Sequence, residues 1–150
     1  MASLASTVQG AIHAATGVPR LYAAALRAGA GPVGATRVLA VSSGALSVAA
    51  RRGAGVPGRQ NAVRHFVWQA LLTARHGRPL AQALAEAQET GTPHATDSGV
   101  DRHNNAVGQE YGAAHATELS AGSLPDALET LAGVALTKWE ADELVWVRPR

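Results

Sequence analysis

Two short stretches put chemically capable side chains where a helix normally puts packing residues: N-A-V-R-H-F-V-W at Asn61–Trp68 and D-R-H-N-N-A-V-G at Asp101–Gly108. A helix built only to pack keeps its charges and amides on the wet face. Here His65, Asp101, Asn104 and Asn105 interrupt or border the faces that read as buried. An amide or carboxylate buried without a partner costs about 1–3 kcal/mol or more. Such groups therefore satisfy one another or do chemistry.

Along the first segment, Val63, Phe66, Val67, Ala70 and Leu71 form an apolar stripe, with Asn61, Arg64, His65 and Trp68 on the adjacent flank. Residues three or four apart on a helix can touch. A histidine in that position can move a proton, ligate a metal or donate to a carbonyl, and Arg64 is a candidate anion clamp. In the second segment, Val100, Val107, Tyr111 and Ala114 are the expected packing face, with Asn104 inside it and Asp101, Asn105 and Gly108 beside it. Paired Asn residues inside a helix compete for its backbone hydrogen bonds. Gly108 adds roughly 1 kcal/mol relative to Ala. The pattern predicts that Gly108 lets another helix come close and that Asn104 and Asn105 hold neighbours, leaving Asp101 as base or ligand.

The candidate catalytic set is His65, Glu89 and Asp101. The same nitrogen-and-oxygen set suits one divalent ion, Zn²⁺, Mn²⁺ or Fe²⁺. His94, Asp97 and Asp101 form a rival set, and neither has the local spacing of H-E-x-x-H. Arg64, Trp68, Asn104 and Asn105 are the candidate substrate-binding residues, while His103 and His115 read as surface residues. The structural alternative is a network in which Arg64, Asn104 and Asn105 only tie helices together.

Composition limits what can position these groups. The chain has 150 residues, enough for one domain with a real core. It has no Cys, which excludes disulfides and thiolate zinc sites. One Phe, two Tyr and three Trp leave a core of Ala, Leu and Val, which favours close-packed helices. Residues 1–85 hold nine Arg and no acid; residues 86–150 hold eleven acids and four basic residues. A basic half suits an anionic partner, whether small molecule, lipid headgroup or nucleic acid, or the two halves pack together and cancel. No secretory signal pattern is visible, so the expectation is bacterial cytoplasm or export without a signal of its own. The apolar stretch Val38–Ala50 reads as too short to span a bilayer.

The expected fold is all-α, a compact bundle of about five to seven helices. Helices are expected over Ala2–Ala15, Leu21–Ala28, Val33–Arg52, Gln60–His76, Pro79–Glu89, from Asp97 or Ser98 as cap to Leu119, and from Ser123 as cap to Trp139. The Val33–Arg52 helix, apolar nearly all round, is expected at the centre of the bundle or against a membrane. The loop Gly53–Arg59 separates an N-terminal helical subdomain, 1–52, from a motif-bearing core, 60–140, within one domain. Residues Glu143–Pro149 read as a helix end or a single strand lacking a partner.

N-A-x-R-H-x-x-W, a helix ending in an acid, and D-x-x-N-N-x-x-G together resemble an uncharacterised group of small bacterial helical domains. Those domains occur alone and at the C-termini of large secreted proteins, including polymorphic toxins. His65 and Trp68 match the first motif, Glu89 matches the acid, and Asp101, Asn104, Asn105 and Gly108 match the third. Gln88 stands where that group often has His. The resemblance covers roughly residues 60–110 and implies no particular activity.

From the residues, the expectation is a small helical hydrolase of a phosphoester or ester. His65, Glu89 and Asp101 would line a cleft, with or without a metal. The rival expectation is a non-enzymatic module that binds a protein or membrane through Val33–Ala50 and the Trp139/Trp146 pair; a third is a natural-product tailoring enzyme.

Overall fold

A computed structural model describes residues 18–90 and 95–146, with the backbone alone for 95–98. The described residues form seven helices and no strand: residues 18–27 (α1), Gly31–Arg52 (α2), Arg59–His76 (α3), Arg78–Glu89 (α4), Ala95–Ala114 (α5), Ala116–Ala121 (α6) and Leu124–Glu140 (α7). The expected Ala2–Ala15 helix lies outside the described residues.

Local chemistry sets most of the boundaries. Gly77, at φ +91°, ends α3 in a conformation that side chains resist, and Pro79 stands in the first turn of α4. Ser123 caps α7 by accepting the Asp126 amide at 3.2 Å, with Pro125 just inside. Two expected boundaries shift. Helix α5 begins at Ala95, ahead of the expected caps Asp97 and Ser98, and it breaks at His115 instead of running on to Leu119.

Helix α3, not α2, is the centre of the bundle. It packs against α2, α4, α5, α6 and α7, and every residue from Ala62 to Thr73 except Arg64 is buried. Helix α2 buries Ala35, Val38, Val41, Ala45, Val48 and Ala49 against α3 and α7. Its other face leaves Val33 67% and Leu46 45% exposed. Val38–Ala50 lies within a longer helix: at 22 residues with a mean hydropathy of 1.4 over its best window, α2 is by length and composition alone apolar enough to cross a bilayer, and a third of that window is buried in the bundle. The apolar core itself is Ala-, Val- and Leu-rich, with Phe66 and Trp68 as its large members. Ion pairs from Arg51 and Arg52 to Glu129, each 2.7 Å, clip α2 to α7 on the surface.

Helices α3 and α5 run parallel, in a register read from their side-chain pairs. Asn61 meets Asp101, His65 meets Asn105 and Gln69 meets Gln109, each pair forty residues apart. A constant offset requires the same direction in both helices, and α4, packed on both, carries the chain back between them. Glycines let the backbones approach. A Cβ on Gly108 would stand 2.7 Å from the Phe66 carbonyl oxygen, and one on Gly112 would collide with the Ala70 carbonyl.

The buried face of α5 therefore differs from the expected one. It keeps the expected Val100 and Asn104 and adds Asn105, Gly108, Gln109 and Gly112, with Asp101 partly buried; Val107 and Tyr111 lie at its edge and Ala114 is exposed. Close approach at the glycines leaves no room there for large apolar side chains, so the polar stripe faces inward.

Candidate functional site

The α3–α5 seam is a ladder of three polar rungs, one helical turn apart. In the first, Asn61 Nδ2 donates to Asp101 Oδ1 at 2.9 Å. In the third, Gln109 Nε2 donates to Gln69 Oε1 at 2.7 Å. The middle rung holds the titratable pair. His65 Nδ1 lies 2.8 Å from Asn105 Oδ1, and His65 Nε2 lies 3.4 Å from both Asp101 Oδ1 and Arg64 Nη2.

These partners decide the tautomer. The Asn105 Oδ1 that faces Nδ1 at 2.8 Å only accepts, and a neutral ring carries one hydrogen, so Nε2 presents a lone pair. Nδ1 then carries the hydrogen and donates it to Asn105 Oδ1. The Trp68 ring stands edge-on to the imidazole with centroids 5.9 Å apart, and its indole N–H donates to Ser42 Oγ at 2.9 Å. The imidazole is thereby held from two sides, with Nε2 directed to Asp101 and Arg64.

Burial, and after it the Arg64 charge, push the His65 pKa down to about 4 against the opposing pull of Asp101 and the Asn105 hydrogen bond. His65 is neutral at pH 7. Arg64 is also lowered by burial, with Asp101 opposing, but arginine keeps its charge. Among the described residues, no carboxylate lies within ion-pairing distance of Arg64, although Asp101 acts on it electrostatically. The site thus holds a neutral base, a carboxylate and a guanidinium without a direct counter-ion, together at the buried seam.

The other candidates lie elsewhere or are already engaged. Glu89 pairs with Arg102 (Nε to Oε1, 3.0 Å), and no hydrogen bond or ion pair among the described residues joins it to His65 or Asp101. Trp68 is buried and forms a wall of the imidazole pocket. Asn104 is fully buried and reads the backbone of Val145, accepting from its N–H at 2.9 Å and donating to its carbonyl at 3.0 Å. His103 Nε2 donates to the Glu143 carbonyl at 2.9 Å. The partner missing from the C-terminal segment is thus a side-chain amide that mimics a neighbouring strand. His115 is not simply a surface group, since it stacks on Tyr111 at 4.1 Å. His94 and the side chain of Asp97 lie outside the described residues.

The described residues bring two of the three expected metal ligands, His65 and Asp101, to one place, and no group of three His, Cys, Asp or Glu assembles among them. Arg64 Nη2 stands 3.4 Å from the Nε2 lone pair, where an ion would have to bind. A divalent cation there would meet a fixed positive charge, so the donors among the described residues, His65 and Asp101, are opposed by Arg64 as a metal site.

Two participants were missed from the sequence as site residues. Asn61 orients the Asp101 carboxylate, and Ser42, from α2, anchors Trp68. The repeated offset of forty at 61/101, 65/105 and 69/109 was the available signal for the ladder; nothing local points to Ser42.

Fold and seam together define a class: all-α bundles whose polar centre spans a parallel helix pair joined through a returning third helix. The chain belongs to the family described as domain of unknown function (DUF6973), which matches residues 30–131. The matched span runs from α2 into α7 and includes all three rungs. No curated protein and no solved structure matches the chain.

Proposed function

We propose that the chain is a small helical hydrolase acting on a phosphoester or ester, with His65 as general base and Arg64 as the anion clamp. The observation that supports this reading is the His65 Nε2 lone pair, oriented from behind by Asn105 and set between a carboxylate and a guanidinium. A water hydrogen-bonded to Nε2 gives its proton to that atom as its oxygen attacks the phosphorus or carbonyl carbon. Asp101 stabilises the imidazolium that forms, and Arg64 neutralises charge growing on the substrate oxygens. The leaving oxygen then takes the proton back.

The resting pKa of about 4 makes His65 a weak base. An anion seated on Arg64 cancels the second of the two effects holding it down, so the substrate raises the basicity of the group it needs. No step uses a metal, and chelator treatment should leave turnover unchanged. Glu89, engaged with Arg102, has no role in the step.

The test is turnover of a panel of nitrophenyl phosphate monoesters, diesters and carboxylate esters. His65→Gln and Arg64→Gln should each lose at least about a hundredfold in kcat/KM, with helicity and Tm near those of the parent at pH 7.5. Turnover retained by His65→Gln, or no turnover of any panel member by the parent, contradicts the proposal. The resemblance to toxin C-termini supplies a cellular version: expression of the parent should halt bacterial growth, and His65→Gln should not.

The exposed, apolar face of α2 supports a second reading, a membrane- or protein-binding module. Trp139 and Trp146 add little to it, since both are partly buried. Sedimentation with anionic liposomes that is unaffected by His65→Gln would favour that reading.

A further inference from the structure

At the far end of α3 lies a cleft of about 350 Å³ bounded by Arg37, Ala40 and Val41 of α2, Arg75 and His76 of α3, and Ser120 and Leu124. Its size is at the lower end for small-molecule sites. His76 is eleven residues beyond His65, roughly 16 Å along the helix axis, so this cleft is separate from the His65–Asp101 centre. No acid lines it. Neither Arg37 nor His76 makes a hydrogen bond or ion pair among the described residues. Arg75 gives Nε to the Leu119 carbonyl at 3.2 Å and Nη2 to the Gly122 carbonyl at 2.9 Å, which fixes its plane and leaves Nη1 for a ligand. Ser120 donates its hydroxyl hydrogen to the Ala74 carbonyl, so recognition falls to the three basic groups.

A position in the last turn of α3 explains Arg75 and His76, because cations suit a helix C-terminus. It does not explain Arg37, which comes from another helix. Partial burial, then Arg37, then Arg75 hold the His76 pKa below its ordinary value. Like charges gathered without a carboxylate repel, and an anion between them would reverse the sign of that interaction.

We propose that this cleft is a second ligand site, selective for a phosphate group: a guanidinium from each side and an imidazole grip the oxygens, and Ala40, Val41 and Leu124 accommodate a small apolar substituent. The inference is independent of hydrolysis at His65.

The test follows the His76 imidazole NMR signals of the full chain during titration with inorganic phosphate, with phenyl phosphate, and with phosphatidylglycerol vesicles against phosphatidylcholine vesicles, at constant ionic strength. The expected result is a saturable shift, a rise in the His76 pKa on binding, and at least tenfold weaker binding in Arg37→Glu. Arg27→Glu, the same charge change at an exposed residue outside the cleft, and His65→Gln should each stay within twofold of the parent. Saturation by the soluble phosphates identifies a free phosphorylated ligand; an Arg37-dependent response to phosphatidylglycerol alone identifies a headgroup. A response that fails to saturate, equal weakening by Arg27→Glu, or no response to any of the probes overturns the proposal.

Discussion

The two sides of α3 are built on opposite rules. Toward α2 and α7 it packs mostly Ala, Val and Leu, with the Trp68–Ser42 hydrogen bond among them, and what is chiefly specified is volume and apolarity. Toward α5 it packs amides and an imidazole and sets its backbone against two glycines of α5, and what is specified is register. A slip of one residue along the seam would break all three rungs and drive a side chain into backbone. The apolar side can repack under a comparable change, because dispersion and burial are not directional.

The glycines give the sharpest contrast. Gly112→Ala places its Cβ against the Ala70 backbone, which cannot move without separating α3 from α5. The expected loss is about 3 kcal/mol or more, the upper end for overpacking, read as a drop in the urea midpoint. Gly44→Ala, where α2 packs on α7, meets only the Leu128 side chain, with its flexible end Cδ1 nearest at 2.5 Å. It should cost less than about 1 kcal/mol. Equal losses at the two positions would dissolve the contrast.

The pH dependence of stability comes next. His65 has an ordinary pKa of 6.5 when unfolded and about 4 when folded. Between those values the unfolded chain binds the extra proton. Stability should therefore be complete above pH 6.5 and fall as the pH drops toward 4, by about 3 kcal/mol in total. His65→Gln should lose this share of the slope. His76 contributes in the same direction in both proteins, so the difference between them isolates the seam.

Asn104→Ala removes both hydrogen bonds to Val145. It should cost about 1–3 kcal/mol and red-shift tryptophan emission as Trp146 leaves its contact with Gly58. Unchanged emission would mean that the segment is held by other contacts. The smallest effect is expected outside both regions, at the exposed Arg51–Glu129 pair. Arg51→Ala should leave the urea midpoint nearly unchanged, with any difference smaller still in high salt.

Element types and several boundaries were legible because helix punctuation is local: Gly77, Pro79, Ser123 and Pro125 act on their own neighbours. The His65–Asp101 proximity was legible as two polar flanks on apolar helices. Identifying the central helix was harder. Helix α2 is more uniformly apolar, yet α3, carrying Asn61, Arg64, His65 and Gln69, is the one surrounded, because its polar groups find partners across the seam. The inward face of α5 was legible in part: Val100, Asn104 and the close approach at Gly108 were expected, but Val107, Tyr111 and Ala114 were placed where Gln109 and Gly112 face inward. Glu89 was placed with His65 from its position beside the loop, but Arg102, on the next helix, competes for it. No local pattern encodes that competition.

The most direct test of the central claim is ¹⁵N NMR of the His65 imidazole through an acid titration. The account predicts a neutral ring at pH 7 with the hydrogen on Nδ1, an unprotonated Nε2 and a midpoint near pH 4. A ring carrying its hydrogen on Nε2, or titrating near 6.5, would contradict the assignment of His65 as a preoriented base.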